Sequence, residues 1–118
     1  MADVTIYHNP GCSKSRGALE ILRERGVELE VLEYLKSPPK REELERALAL
    51  LADAPAELVR KDRRFQELDL DAGDYVSTSS VVGLLLAHPE LMQRPIVIRG
   101  ERAVIARPSE KVTELLED

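Results

Sequence analysis

With 118 residues, 43% of them hydrophobic and 33% charged, the chain has material for one compact core and enough charge to keep it dissolved. The formal net charge of -5 argues against a general nucleic-acid binder, which carries a basic balance. No apolar run approaches the ~20 residues of a membrane span, and the N-terminus lacks the basic and apolar regions of a secretory signal. A cytoplasmic monomer with no membrane or nucleic-acid partner is therefore expected.

Aromatic residues make up only 3%, so aliphatic side chains must fill the core. The one cysteine cannot form an intramolecular disulfide, and with His8 and His88 far apart in sequence there is no cluster of zinc-site spacing, so no metal is expected.

Val4 and Ile6 alternate with Thr5 and Tyr7, the pattern of a strand with one buried face. Asn9-Pro10-Gly11 then breaks the chain, and Cys12 stands where a helical pattern begins. In that pattern, predicted over residues 13–25, Ala18, Leu19, Ile21 and Leu22 share one side and Gly26 occupies the C-cap. A thiol at a helix N-terminus sits beside unpaired backbone N–H groups and the positive end of the helix dipole. Its thiolate is favoured there, and an oxyanion can dock beside it. Most single cysteines are inert packing, but turn-forming and polar neighbours, with Lys14 and Arg16 adding positive charge, point to a reactive Cys12. Any redox cycle then requires an external thiol.

Leu29 to Leu35 reads as a second strand, so the opening third is a βαβ unit with parallel strands and a right-handed crossover. The cysteine loop thus falls at the C-terminal edge of the first strand, where open α/β sheets place their sites. Ser37-Pro38-Pro39 is predicted to open a helix carrying Leu44, Ala47, Leu48 and Leu51 on one face. Asp53-Ala54-Pro55 starts a short helix through Leu58 and Val59 that ends near Arg60, and a turn follows around Phe65 to Leu68. Lys61, Arg63 and Arg64 form a basic run interrupted by Asp62, which reads as a solvated face. Ser77, Thr78 or Ser79 caps a helix with Val82, Leu85 and Leu86 inward, ended by His88-Pro89.

Ile96-Val97-Ile98 and Ala103-Val104-Ile105 flank a short turn and predict a hairpin. Pro108 and Ser109 then open a last helix with Val112, Leu115 and Leu116 inward. The order β-α-β, a helical insertion over about 37–89, then β-β-α predicts an α/β thioredoxin-like fold. It has a mixed four-stranded sheet, in a single domain over residues 1–118.

His8 to Arg16, Tyr34-Leu35 followed by Pro38-Pro39, Leu58 to Lys61, His88-Pro89, Arg94-Pro95-Ile96-Val97 and Arg107-Pro108-Ser109 together resemble the glutaredoxin-coupled arsenate reductases. The resemblance spans essentially the whole chain and implies reduction of arsenate to arsenite with glutathione as co-substrate, glutaredoxin as partner and no tightly bound cofactor. By it, Cys12 is the nucleophile, His8 and Ser15 hold its thiolate, and Arg60, Arg94 and Arg107 bind the oxyanion. Guanidinium groups offer planar donor pairs suited to a tetrahedral oxyanion. Pro95 stands where this fold places a proline facing the redox cysteine, and an X-Pro bond makes a cis peptide possible there.

The phosphatase-type arsenate reductases require Cys, five residues, then Arg; here Arg16 follows Cys12 after three, and position 18 is Ala18. An RNA-polymerase-binding redox regulator similar to the Spx proteins shares the fold and often uses Cys-x-x-Cys, but Ser15 stands in the second place. A related thiol reductase with another substrate is the remaining alternative.

Overall fold

The structure, a computed structural model, describes residues 3–93 and 95–116. Among these, four strands form one mixed sheet in the order β2-β1-β3-β4: β1 Val4–His8, β2 Leu29–Glu33, β3 Ile96–Arg99 and β4 Arg102–Ile105. β1 runs parallel to β2 (Val4 opposite Leu29, His8 opposite Glu33) and antiparallel to β3 (Tyr7 opposite Ile96), while β3 and β4 form the predicted hairpin. The hairpin turns at Gly100, whose φ of 61° lies in the left-handed region that favours glycine. This is the thioredoxin-like arrangement expected from the element order.

Side chains alternate across a strand, and here each face of the sheet has its own core. Val4, Ile6 and Val97 pack with Ala18, Leu19 and Leu22 of α1 (Ser13–Glu24) and with Val112 and Leu115. Tyr7, Ile96 and Ile105 face the helical insertion. The central strand is thus buried on both faces, and Tyr7 is not the solvent-facing residue that simple alternation predicts. Burial and the neighbouring Glu43 carboxylate, 3.3 Å from its hydroxyl, push the Tyr7 phenol up to about 12.

The second strand stops at Glu33, two residues short of expectation, because Lys36 and Ser37 both donate backbone N–H groups to the Glu33 carbonyl. That turn swings Tyr34 fully into the core. The next helix, α2, spans Arg41–Leu50 and begins after the two prolines, not on them. A residue before proline is steered to extended backbone, and the helix follows Lys40, its N-cap, whose N–H is held by the Glu43 carboxylate at 2.9 Å. The insertion continues as a 3₁₀ turn at Pro55–Leu58, α3 at Arg63–Glu67 capped by Asp62, a turn at Ala72–Asp74, α4 at Thr78–Ala87 capped by Ser77, and a turn at Pro89–Leu91. In α4, Val81, Val82, Leu84 and Leu85 are buried; Leu86, expected inward, is 36% exposed.

The final segment, Ser109–Leu115, is a 3₁₀ helix, and its buried residues explain why. Ser109, Val112 and Leu115 recur every three residues, so three residues per turn bring them into one row. Leu116 leaves that row and is only half-buried.

This row packs against the start of α1. The Ser109 hydroxyl donates to the Lys14 carbonyl at 2.7 Å, and a Cβ on Gly17 would lie 2.7 Å from the same hydroxyl oxygen. In the middle of α4, by contrast, a Cβ on Gly83 would meet nothing within 4 Å. Opposite outcomes are therefore expected for two Gly→Ala changes inside helices. Gly83→Ala should raise the thermal midpoint, by roughly 0.5–1 kcal/mol of helix propensity, and Gly17→Ala should lower it. Paired melting curves check the contrast, and a rise for both would show that the Ser109 segment yields freely.

Candidate active site

His8 closes β1 on the face toward α1, and Ser15 is the third residue of α1. Their side chains meet at 2.6 Å, His8 Nδ1 to Ser15 Oγ, in a buried contact. The same hydroxyl oxygen accepts the Asn9 backbone N–H at 3.0 Å. One serine thus joins the end of the strand, the start of the loop and the first turn of the helix.

Between those anchors the loop is tightly determined. The Asn9 side-chain oxygen accepts the Gly11 N–H at 2.9 Å, the Asn9 carbonyl accepts the Cys12 N–H at 3.0 Å, and Arg16 donates from its guanidinium to the Pro10 carbonyl at 2.7 Å. Cys12 is the N-cap: its backbone is extended (φ -105°, ψ 123°) and its carbonyl accepts the Arg16 N–H, the first bond of the helix. The residue is half-buried, and no acidic residue occupies the first turn. This half-buried cysteine therefore belongs to the positive end of a twelve-residue helix.

Burial holds the His8 imidazole below its ordinary 6.5; the nearby Arg23 and Arg16 act in the same direction, and Glu33 opposes them. A neutral imidazole carries one N–H, and the serine hydroxyl complements either tautomer. With the hydrogen on Nδ1, Ser15 Oγ accepts from both His8 and Asn9, which leaves its own hydrogen for a third acceptor.

The arginines come from distant parts of the sequence, and Arg94 lies outside the described residues, as does the state of the Arg94–Pro95 bond. Backbone bonds place the other two. The Arg60 N–H donates to the Leu91 carbonyl and the Gln93 N–H to the Leu58 carbonyl, both at 2.7 Å. The Ala106 N–H donates to the Pro95 carbonyl at 2.9 Å. Because Ile96 pairs with both Tyr7 and Ile105, the stretches before β3 and after β4 emerge at the sheet end from which the Cys12 loop leaves. Pro95 and Arg107 are therefore at the cysteine end of the sheet, and Arg60 lies beside residues 91–93, which form an isolated bridge with Val59.

Arg107 is exposed, and it lines a small cleft of about 180 Å³ with Gln93 and Lys111. Its peptide bond to Pro108 is cis. Arg60 is held by Asp62 at 3.3 Å, and the other oxygen of that carboxylate caps α3 through the Phe65 N–H at 3.2 Å. Lys61, Arg63 and Arg64 are all exposed, as expected of a solvated face, while the Asp62 that interrupts them holds Arg60.

Reading the sequence put Asn9 in the turn and Ser109 at the head of the last segment without giving either a partner, and it did not single out Gly17. Asn9 builds the turn; Gly17 and Ser109 let the Arg107-Pro108-Ser109 segment dock on the first turns of α1. A glycine inside an otherwise good helix was the available signal.

The ArsC family pattern matches residues 7–115. The chain belongs to the ArsC family. It is 40% identical to an arsenate reductase of Escherichia coli (strain K12) over 119 residues, spanning 100% of this chain and 84% of that one. It is 39% identical to an arsenate reductase of Neisseria meningitidis serogroup A, over 98% of this chain and all of that one. Among solved structures, an arsenate reductase from Vibrio cholerae superposes with a TM-score of 0.85 at 37% identity, covering 97% of this chain and 98% of that one. The ArsC match takes in Cys12, His8, Ser15, Arg60, Pro95 and Arg107. Among the described residues no group of three His, Cys, Asp or Glu side chains could hold a metal, and no helix is long and apolar enough to cross a membrane.

The His8 environment sets the sign of a pH effect. An imidazole whose folded value is depressed contributes stability that is complete above its ordinary 6.5 and is lost as pH falls through the lower folded value. The gap in thermal midpoint between wild type and His8→Asn should therefore shrink on acidification from pH 8 to 5. Parallel curves across that range would mean that His8 is not held neutral by the fold.

Proposed function

We propose that this ArsC-family chain reduces arsenate to arsenite, with Cys12 as nucleophile and with glutathione and glutaredoxin as the reductants. The observation that carries the reading is the Cys12 loop itself, clamped by Ser15 at a helix N-terminus, at the end of the sheet where Pro95 and Arg107 emerge. The substrate comes from the relatives, which are arsenate reductases.

The chain's own groups divide the work. Cys12, as thiolate, attacks arsenic and an oxygen departs with protons as water, leaving a sulfur–arsenic bond. Ser15 gives its spare hydrogen to the sulfur, and neutral His8 fixes the serine from the other side. Arg60, Arg94 and Arg107 bind the oxyanion and stabilise charge as it redistributes; Pro95 shapes the wall that faces the thiol. Arsenic(V) then gains two electrons from two outside thiols, which leave as one disulfide, and arsenite is released with Cys12 regenerated. The balance is one arsenate, two thiols and a proton to arsenite, disulfide and water. A chain with one cysteine depends on that outside supply. A monomer in the reducing cytoplasm suits it.

The test is arsenate-dependent NADPH oxidation in an assay with glutathione, glutaredoxin and glutathione reductase. Its absence across several glutaredoxins would overturn the reading. Cys12→Ser should abolish turnover without loss of fold, since a hydroxyl is a poor substitute for a thiolate; residual wild-type rates in a clean preparation would rule out the mechanism.

Alanine at Arg60, Arg94 or Arg107 should each lower kcat/KM for arsenate on the order of 10²-fold or more. Lysine, which keeps charge but not the planar fork, should fall between alanine and wild type. Thermal midpoints recorded alongside separate this from unfolding. Near-normal kcat/KM in all three alanine variants would place the oxyanion elsewhere.

A further inference from the structure

Arg60 is fixed twice over, once through its backbone and once through its side chain. Its N–H donates to the Leu91 carbonyl at 2.7 Å, and Val59 beside it bridges to Met92, so the backbone is stitched to the segment that runs on toward β3. That stitching does not aim the guanidinium, which stands at the end of a long, rotamer-rich side chain.

Asp62 supplies the direction. Its Oδ2 lies 3.3 Å from Arg60 Nη1, and the carboxylate is itself held from the other side: Oδ1 accepts the Phe65 N–H at 3.2 Å as the N-cap of α3, and the Asp62 carbonyl accepts the Gln66 N–H at 3.2 Å. Phe65 is buried and stands edge-on to Tyr75, with ring centroids 6.2 Å apart, so the short helix that carries the carboxylate is anchored in the core. A second tie closes the circuit. Arg64 of α3 donates from Nε to Glu90 at 3.0 Å, and Glu90 precedes Leu91, whose carbonyl holds the Arg60 backbone.

Stability is a weak reason for the pair, since its side chains are 25% and 32% exposed and pairs this open contribute little. As a charge, the carboxylate works against an anion site, because it offsets the pull of Arg60. As a director it works for one. A guanidinium has five N–H donors; with one nitrogen engaged by Asp62, the others form a fork whose aim does not have to be found during the reaction.

We propose that Asp62 is a positioning residue, which weakens the positive charge at Arg60 and fixes its guanidinium in one direction toward the oxyanion. The inference rests on the assignment of Arg60 to the oxyanion under the arsenate-reductase reading, but the contact is tested without it.

Serine separates the two duties of Asp62, because it caps a helix about as well as aspartate and is too short to reach Arg60. The thermal midpoint of Asp62→Ser should stay near wild type, while Asp62→Ala, which loses the cap, should melt lower. In ¹⁵N relaxation of the arginine Nε–H groups, wild-type Arg60 should move with the backbone, and exposed Arg63 should not. In Asp62→Ser the Arg60 signal should take on the mobility of Arg63. An Arg60 signal as mobile as Arg63 in the wild type, or one that stays rigid in Asp62→Ser, would overturn the proposal.

In turnover, Asp62→Ser should lower kcat on the order of tenfold, less than loss of the arginine itself, and leave KM for arsenate unchanged or lower. Asp62→Asn, which keeps cap and reach without the charge, should fall between. Combined with Arg60→Ala, Asp62→Ser should lower kcat no further. An undiminished kcat in Asp62→Ser would leave only the charge effect, and a loss that persists in the Arg60→Ala background would make the role purely structural; either overturns the proposal. If the chain did not turn over arsenate at all, the relaxation measurement would still decide whether Asp62 fixes Arg60, so the two readings fail separately.

Discussion

A single buried hydroxyl governs the geometry of the site. Ser15 is fully enclosed and is bonded to the last side chain of β1 and to the first backbone N–H of the loop. Stripping one partner from a buried polar group costs about 1–3 kcal/mol, so strand, loop and helix cannot slide past one another cheaply. Cys12 is three residues from that hydroxyl along the helix, and its position is inherited from the clamp. The strand can carry His8 into the core because β1 is central and covered on both faces.

The site is local on one side and global on the other. Thiol, histidine and serine come from eight consecutive residues, whereas Pro95 and Arg107 reach the same sheet end through the pairing of β3 with β1 and β4. The Ser109 hydroxyl on the Lys14 carbonyl links the two parts across 95 positions of sequence. Gly17 makes room for that contact, because a methyl group there would crowd the oxygen at 2.7 Å.

This division also explains what could be read from the residues alone. The Asn-Pro-Gly-Cys turn, the helix over it and its Gly26 terminus with φ of 68° are local grammar, and they were legible. The Ile-Val-Ile and Ala-Val-Ile runs gave the hairpin for the same reason. Tertiary contacts overrode the local pattern elsewhere: the helical insertion buries Tyr7, the Glu33 carbonyl ends β2 early to seat Tyr34, and the row at Ser109, Val112 and Leu115 winds the last segment more tightly than an α-helix. Asp62 looked like an interruption of a basic run, and only the fold shows that its two oxygens serve Arg60 and α3. The roles of Gly17 and Ser109 depend on a contact between segments distant in sequence.

The position of β2 at the edge of the sheet has a consequence for behaviour at high concentration. An edge strand presents backbone donors and acceptors to any passing strand, which makes it a template for aggregation. In β2 that rim carries Glu30 and Glu33, so a second copy approaching edge to edge would bring carboxylate against carboxylate. The opposite rim is covered from within: Leu51 bridges to Ala103, Arg46 donates to the Gly100 carbonyl at 2.9 Å, and Arg102 donates to the Glu114 carbonyl. One edge carries charge and the other is covered by the chain's own segments, two devices that disfavour edge-to-edge pairing.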